Sequence, residues 1–153
     1  MLAFSSLQPS PQLDSAIENN HAAGANSPFI VGLWEVTMYA GGVLWEHAFQ
    51  QLLADGNETQ NSSLYPPEEG NISYGIWQQQ NATSFKLKHY GWLLDKGNLI
   101  GKLILTANLH VVTPGGPNTY SGTFVADVML PSGKIDPAQH AEGTVKAVRL
   151  TMD

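Results

Sequence analysis

His47 and His89 are the two residues of this chain best placed to do chemistry. Each lies in a stretch where apolar and polar residues alternate, so each shares a strand face with apolar neighbours. His47 alternates with Val43, Trp45 and Phe49, and His89 with Phe85 and Leu87. Leu105 belongs to a third face of the same kind. An imidazole titrates near neutral pH, so among apolar side chains it can orient a ligand oxygen or shuttle a proton. Trp45, His47, Phe49, Phe85, Leu87, His89 and Leu105 are therefore expected to line one small-molecule site. A mostly apolar lining with a few polar groups is the usual make-up of such a site. The alternative is that each histidine is satisfied by a neighbouring hydroxyl, amide or backbone group and simply fills the core.

Other chemistries find less support. A metal site needs three or four convergent ligands, whereas the five histidines are scattered and cysteine is absent. No metal is expected. Haem held by His89 is the one cofactor worth weighing, and only the phase of His89 speaks for it, so the expectation is no cofactor. Gly41-Gly42 and Gly115-Gly116 are followed by no helix and read as turns, not phosphate cradles. Asp127 falls in an outward phase, and Glu35 and Glu46 alternate away from the apolar sets and read as solvated. No inward carboxylate is thus expected beside the histidines. That favours binding over catalysis, and no catalytic residue is assigned.

The elements that position these residues read as strands. Turn residues divide the chain into eight stretches of about ten residues, with starts at Phe29, Val43, Asn57, Asn71, Ser84, Leu99, Thr119 and Glu142. Short turns such as Asp55-Gly56 and Asp95-Lys96-Gly97-Asn98 link them. An up-and-down meander of eight strands closes into an antiparallel barrel, which removes both sheet edges. Asn57–Leu64 is polar and is expected at an exposed or edge position. Residues 1–28 read as a flexible leader, with one short helix near Leu13–Asn19, and 29–153 as the barrel domain.

Composition bounds the partners. The chain has 153 residues, a net charge of −6 and only seven lysines and arginines. That argues against nucleic acid and anionic membranes, which need a basic surface. No apolar run is long enough to span a membrane as a helix. The compartment stays open: secreted or periplasmic if a signal peptide has been removed, otherwise cytoplasmic. Asn57, Asn61, Asn71 and Asn81 each open an Asn-x-Ser/Thr triplet, which matters only in a glycosylating compartment.

Gly32-Leu33-Trp34 opens the first strand and Arg149 lies in the last. This pairing resembles the signature of the calycins, the lipocalin-like barrels. The resemblance implies a closed end where Arg149 packs over the Trp34 indole, and a cavity above it. The chain departs from classical lipocalins in having no disulfide and no clear C-terminal helix.

Three functions follow as expectations. The first is binding of a small, mostly apolar molecule in the barrel. The second is a cofactor-free isomerase or cyclase in which a cavity His or Tyr moves a proton. The third is a filled barrel acting through surface contacts, and a homodimer is left open. Small inward residues (Ala107, Ala126, Gly143 and Ala147) leave room inside and favour the first.

Overall fold

The computed structural model describes residues 28–111 and 118–152. Eight antiparallel strands, each paired to the next and the last to the first, form a closed barrel. They are β1 Gly32–Ala40, β2 Val43–Leu52, β3 Asn57–Ser62, β4 Ile72–Gln79, β5 Ser84–Asp95, β6 Asn98–His110, β7 Thr119–Met129 and β8 Ile135–Arg149. A short 3₁₀ turn, Pro67–Glu69, bridges β3 and β4. The leader, apart from Pro28, and its expected helix lie outside the described residues. No helix among the described residues is long and apolar enough to cross a membrane.

Alternation sets what each strand buries. Trp34, Val36 and Met38 point in from β1, and Phe85, Leu87 and His89 from β5. Leu103, Leu105, Ala107 and Leu109 do so from β6, and Val145 and Ala147 from β8. β1 begins at Gly32, three residues after the expected start, and β8 and β3 also differ from the sequence expectation. β8 begins at Ile135, because the Pro131–Gly133 turn feeds straight back into pairing with β7. β3 is no edge: it pairs with both β2 and β4, and buries Glu58 and Gln60.

One end of the barrel is sealed. The Trp34 indole donates to the Ile30 carbonyl at 2.8 Å, and Ile30 is fully buried beneath it. The Arg149 guanidinium lies 4.2 Å from the Trp34 ring centre and 5.0 Å from that of Phe29. It donates to the carbonyl of Val31 at 2.5 Å and to that of Phe29. Gly32 is required at this point. Its φ is +150°, and a Cβ there would run into the Arg149 guanidinium. The Gly-x-Trp spacing and the distant Arg are thus one device, in which the absent side chain makes room for the cation that covers the indole.

Candidate functional site

The inward face of β2 is the main departure from the sequence reading. Glu46, Ala48, Gln50 and Leu52 are buried, whereas His47 is exposed and Phe49 is 54% exposed. His47 and Phe49 therefore leave the expected site, and Glu46, expected in solvent, enters it. A bulge explains the exception within β2. The β1–β2 register shifts between Met38 and Tyr39, so that Met38 faces Glu46 while Tyr39 faces Leu44. Trp45 is the extra residue. It is half-buried and stacks on the buried Phe124, ring centres 5.1 Å apart. Of the other expected site residues, Phe85, Leu87, His89 and Leu105 are buried and point inward.

The interior has two walls of opposite character. The wall from β6, β7, β8 and β1 is apolar, with Leu103, Leu105, Phe124, Val128, Val145 and Val36 among its residues. The wall from β2 to β5 carries Glu46, Gln50, Glu58, Gln60, Ser73 and His89, all buried. No lysine or arginine is buried among the described residues.

The polar wall is a directed hydrogen-bond chain. The Tyr120 hydroxyl donates to Gln50 Oε1 at 2.5 Å. The Gln50 amide donates to Glu58 Oε1 at 3.0 Å and to Gln60 Oε1 at 3.1 Å. The Gln60 amide donates in turn to Glu46 Oε1 at 2.9 Å. The chain starts at the Tyr120 hydroxyl and runs through the two amides, so Glu46 and Glu58 are its two acceptor ends. Burial of Tyr120, with the charge of Glu58 nearby, pushes its phenol well above the ordinary range and keeps it a donor. Burial likewise raises the Glu46 carboxyl, against the opposing effects of its Ser62 and Gln60 hydrogen bonds and of His89.

His89 faces this chain without joining it. Its Nδ1 is 3.5 Å from Glu58 Oε1, within Coulombic reach but long for a hydrogen bond. Glu58 Oε2 and both nitrogens of His89 have no hydrogen-bond partner, although both side chains are fully buried. Gly75 makes the close approach possible. It pairs with Glu58 on one side and His89 on the other, and a Cβ there would strike Glu58 Oε2 and His89 Cβ.

Barrel register sets this pair in one row with two residues of a cavity wall. Glu58, Gly75, His89, Leu105, Ala126 and Ala141 face one another in turn across β3 to β8. Ala126 and Ala141 line a cavity of about 170 Å³ with Trp45, Tyr65, Leu103 and Val128. Tyr65 and Gln139 also line a neighbouring hollow of about 240 Å³ that includes Glu69 and Asp95. The phenol of Tyr65 is raised by burial and by the nearby charges of Glu46 and Glu69. At the rim His140 Nδ1 lies 2.8 Å from Asp127 Oδ1, so outward Asp127 orients a histidine the sequence left unassigned.

Among the described residues, no group of three or more His, Cys, Asp or Glu is arranged to hold a metal ion. No protein-family model, curated protein or solved structure matches the chain.

Proposed function

We propose that the barrel binds a small, mostly apolar molecule through its open end, with the polar end of the molecule against Glu46, Glu58 and His89. The carrying observation is the set of unpartnered atoms, Glu58 Oε2 and both His89 nitrogens, at fully buried positions. Such groups ordinarily find partners, because burying them unpaired is costly. The apolar wall and the stacked Trp45 and Phe124 rings supply the complementary surface. A cavity of about 170 Å³ suits a body of roughly benzene size, for which about 150 Å³ suffices. Arg149 across Trp34, behind Gly32, supports kinship with the lipocalin-like calycins.

A second reading is favoured by one observation. Two carboxyl groups that the sequence reading did not place inside, Glu46 and Glu58, are buried on the same wall as His89, and Glu58 lies 3.5 Å from its Nδ1, which is the make-up of an acid/base site. In that reading the bound molecule is isomerised or cyclised by proton transfer without a cofactor. A homodimer would use the outer face of β4 and β5, where Ile72, Tyr74, Ile76 and Trp92 are exposed.

The first test is native mass spectrometry followed by denaturing extraction and ligand titration. A stoichiometric small molecule, lost in His89→Phe while the fold is kept, is the expected result. Unchanged affinity in that variant would remove His89 from the site.

A further inference from the structure

We infer that the polar end of the ligand is an ammonium group, so that the barrel takes a small apolar amine. The inference rests on the small-molecule reading above and adds the chemical class. Three independent features point to a cation.

The first is the inventory of the interior. Glu46 and Glu58 are buried, and no buried lysine or arginine faces them among the described residues. Arg149, the cation nearest the core, is committed to Trp34 and to backbone carbonyls at the sealed end. A ligand carboxylate would meet two buried carboxyl groups with His89 as the one titratable partner that could carry positive charge, whereas an ammonium would add a fixed counter-charge.

The second is the direction of the hydrogen bonds. Glu58 Oε2 is an acceptor, and a neutral imidazole offers one acceptor nitrogen and one donor. Most of the unpartnered capacity therefore calls for a donor. An ammonium has three donors and no acceptor. An alcohol has only one donor, and a carboxylate has none.

The third is the route in. The mouth presents Trp45 and Tyr65, with Phe124 stacked behind Trp45, and Glu46 follows Trp45 directly in the chain with its side chain buried. Aromatic faces attract cations through their quadrupole and shelter an apolar body at the same time. Glu69 and Asp95 line the adjoining hollow, no lysine or arginine lines either space, and His140 at the rim is paired with Asp127. The approach is therefore attractive to cations at long range as well.

The test uses three probes of nearly equal size on the purified full chain: 2-phenylethylamine, 2-phenylethanol and phenylacetate. Binding is read at pH 7 by calorimetry and by the shifts of tryptophan indole N–H resonances. The amine is expected to bind at least tenfold more tightly than the alcohol, and phenylacetate more weakly than either. Glu58→Gln and Glu46→Gln, close in shape to the native side chains, should each weaken the amine at least fivefold more than they weaken the alcohol. A native-like pattern of tryptophan indole N–H resonances in the unliganded variants shows that they are folded. An alcohol or carboxylate that binds as well as the amine would overturn the ammonium inference and leave the small-molecule reading standing. An amine indifferent to both substitutions would overturn it too, by placing the cation on the acidic surface. If none of the three probes binds, the small-molecule reading falls with it.

Discussion

Arg149→Ala tests the sealed end most directly. The guanidinium donates to two backbone carbonyls, those of Val31 and Phe29, and covers the rings of Trp34 and Phe29. Hydrogen bonds from a charged group contribute about 1.5–3 kcal/mol each. A cation over a ring contributes about 0.5–1 kcal/mol where solvent still reaches it. Arg149 is only half-buried, so the sum must be discounted for water that replaces the lost partners. The expected loss is about 2–3 kcal/mol, within the ordinary range for removal of a buried network. In urea unfolding, with a slope of about 1–3 kcal/mol/M, the midpoint should fall by roughly 1–2 M. A cycle with Gly32→Ala makes the test specific. Alone, that substitution drives a Cβ into the guanidinium and strains a positive φ. Without Arg149 only the strain remains, so the second substitution should cost about 1 kcal/mol less than in the native chain. A midpoint shift below about 0.3 M, or strictly additive changes, would refute the view that the glycine, the indole and the arginine act together.

Tyr120→Phe should lower stability by about 1–3 kcal/mol in the same assay, because it leaves Gln50 Oε1 buried with one donor fewer; a neutral result would mean that the chain of donors is not under tension from burial. Glu46 gives a pH dependence. Burial raises its carboxyl above 4.5, so the folded state holds that proton more tightly than the unfolded chain does. Its contribution to stability is full below the unfolded value and is lost as pH rises through the folded one. Glu46→Gln should therefore gain on the native chain as pH rises from about 4.5 to 8, and a constant difference would contradict the assignment. The Asp127 hydrogen bond, the larger cause, and its charge raise the His140 imidazole above 6.5. An NMR titration should show its midpoint falling in Asp127→Asn, and an unmoved midpoint would dissociate the rim pair.

Much of the barrel was legible because strands and turns leave local marks. Alternation on β5 and β6 is unambiguous: Phe85, Leu87 and His89 oppose Ser84, Lys86 and Lys88, and they point inward. The same rule failed on β2, where the apolar set of Val43, Trp45, His47 and Phe49 faces outward except at the bulged Trp45. Alternation locates two faces and then assigns the apolar one to the interior. A barrel with a polar inner wall breaks that second step. Glu46, Gln50, Glu58 and Gln60 were invisible for this reason, although the Asp55-Gly56 hairpin offered a clue. Asp55 accepts from the backbone and side-chain amides of Asn57 and pins the turn. The resulting register sets Gln50 opposite Gln60 and Leu52 opposite Glu58. Two glutamines facing each other beside a buried leucine would have marked that face as interior. The contact between Glu58 and His89, which lie 31 positions apart and are bridged by Gly75, has no local signature at all.

Closure of β8 onto β1 also governs how the chain is made. During synthesis the first seven strands emerge before their final neighbour, and until it arrives β1 and β7 are open edges of a curved sheet. Open edges of this kind invite pairing with other chains. The pairing that ends this exposure joins residues more than a hundred positions apart, such as Trp34 and Arg149, and so is slow to form. A chain truncated before β8 would leave β1 and β7 without their partner, so this fifteen-residue strand is the one whose arrival removes both edges of the sheet.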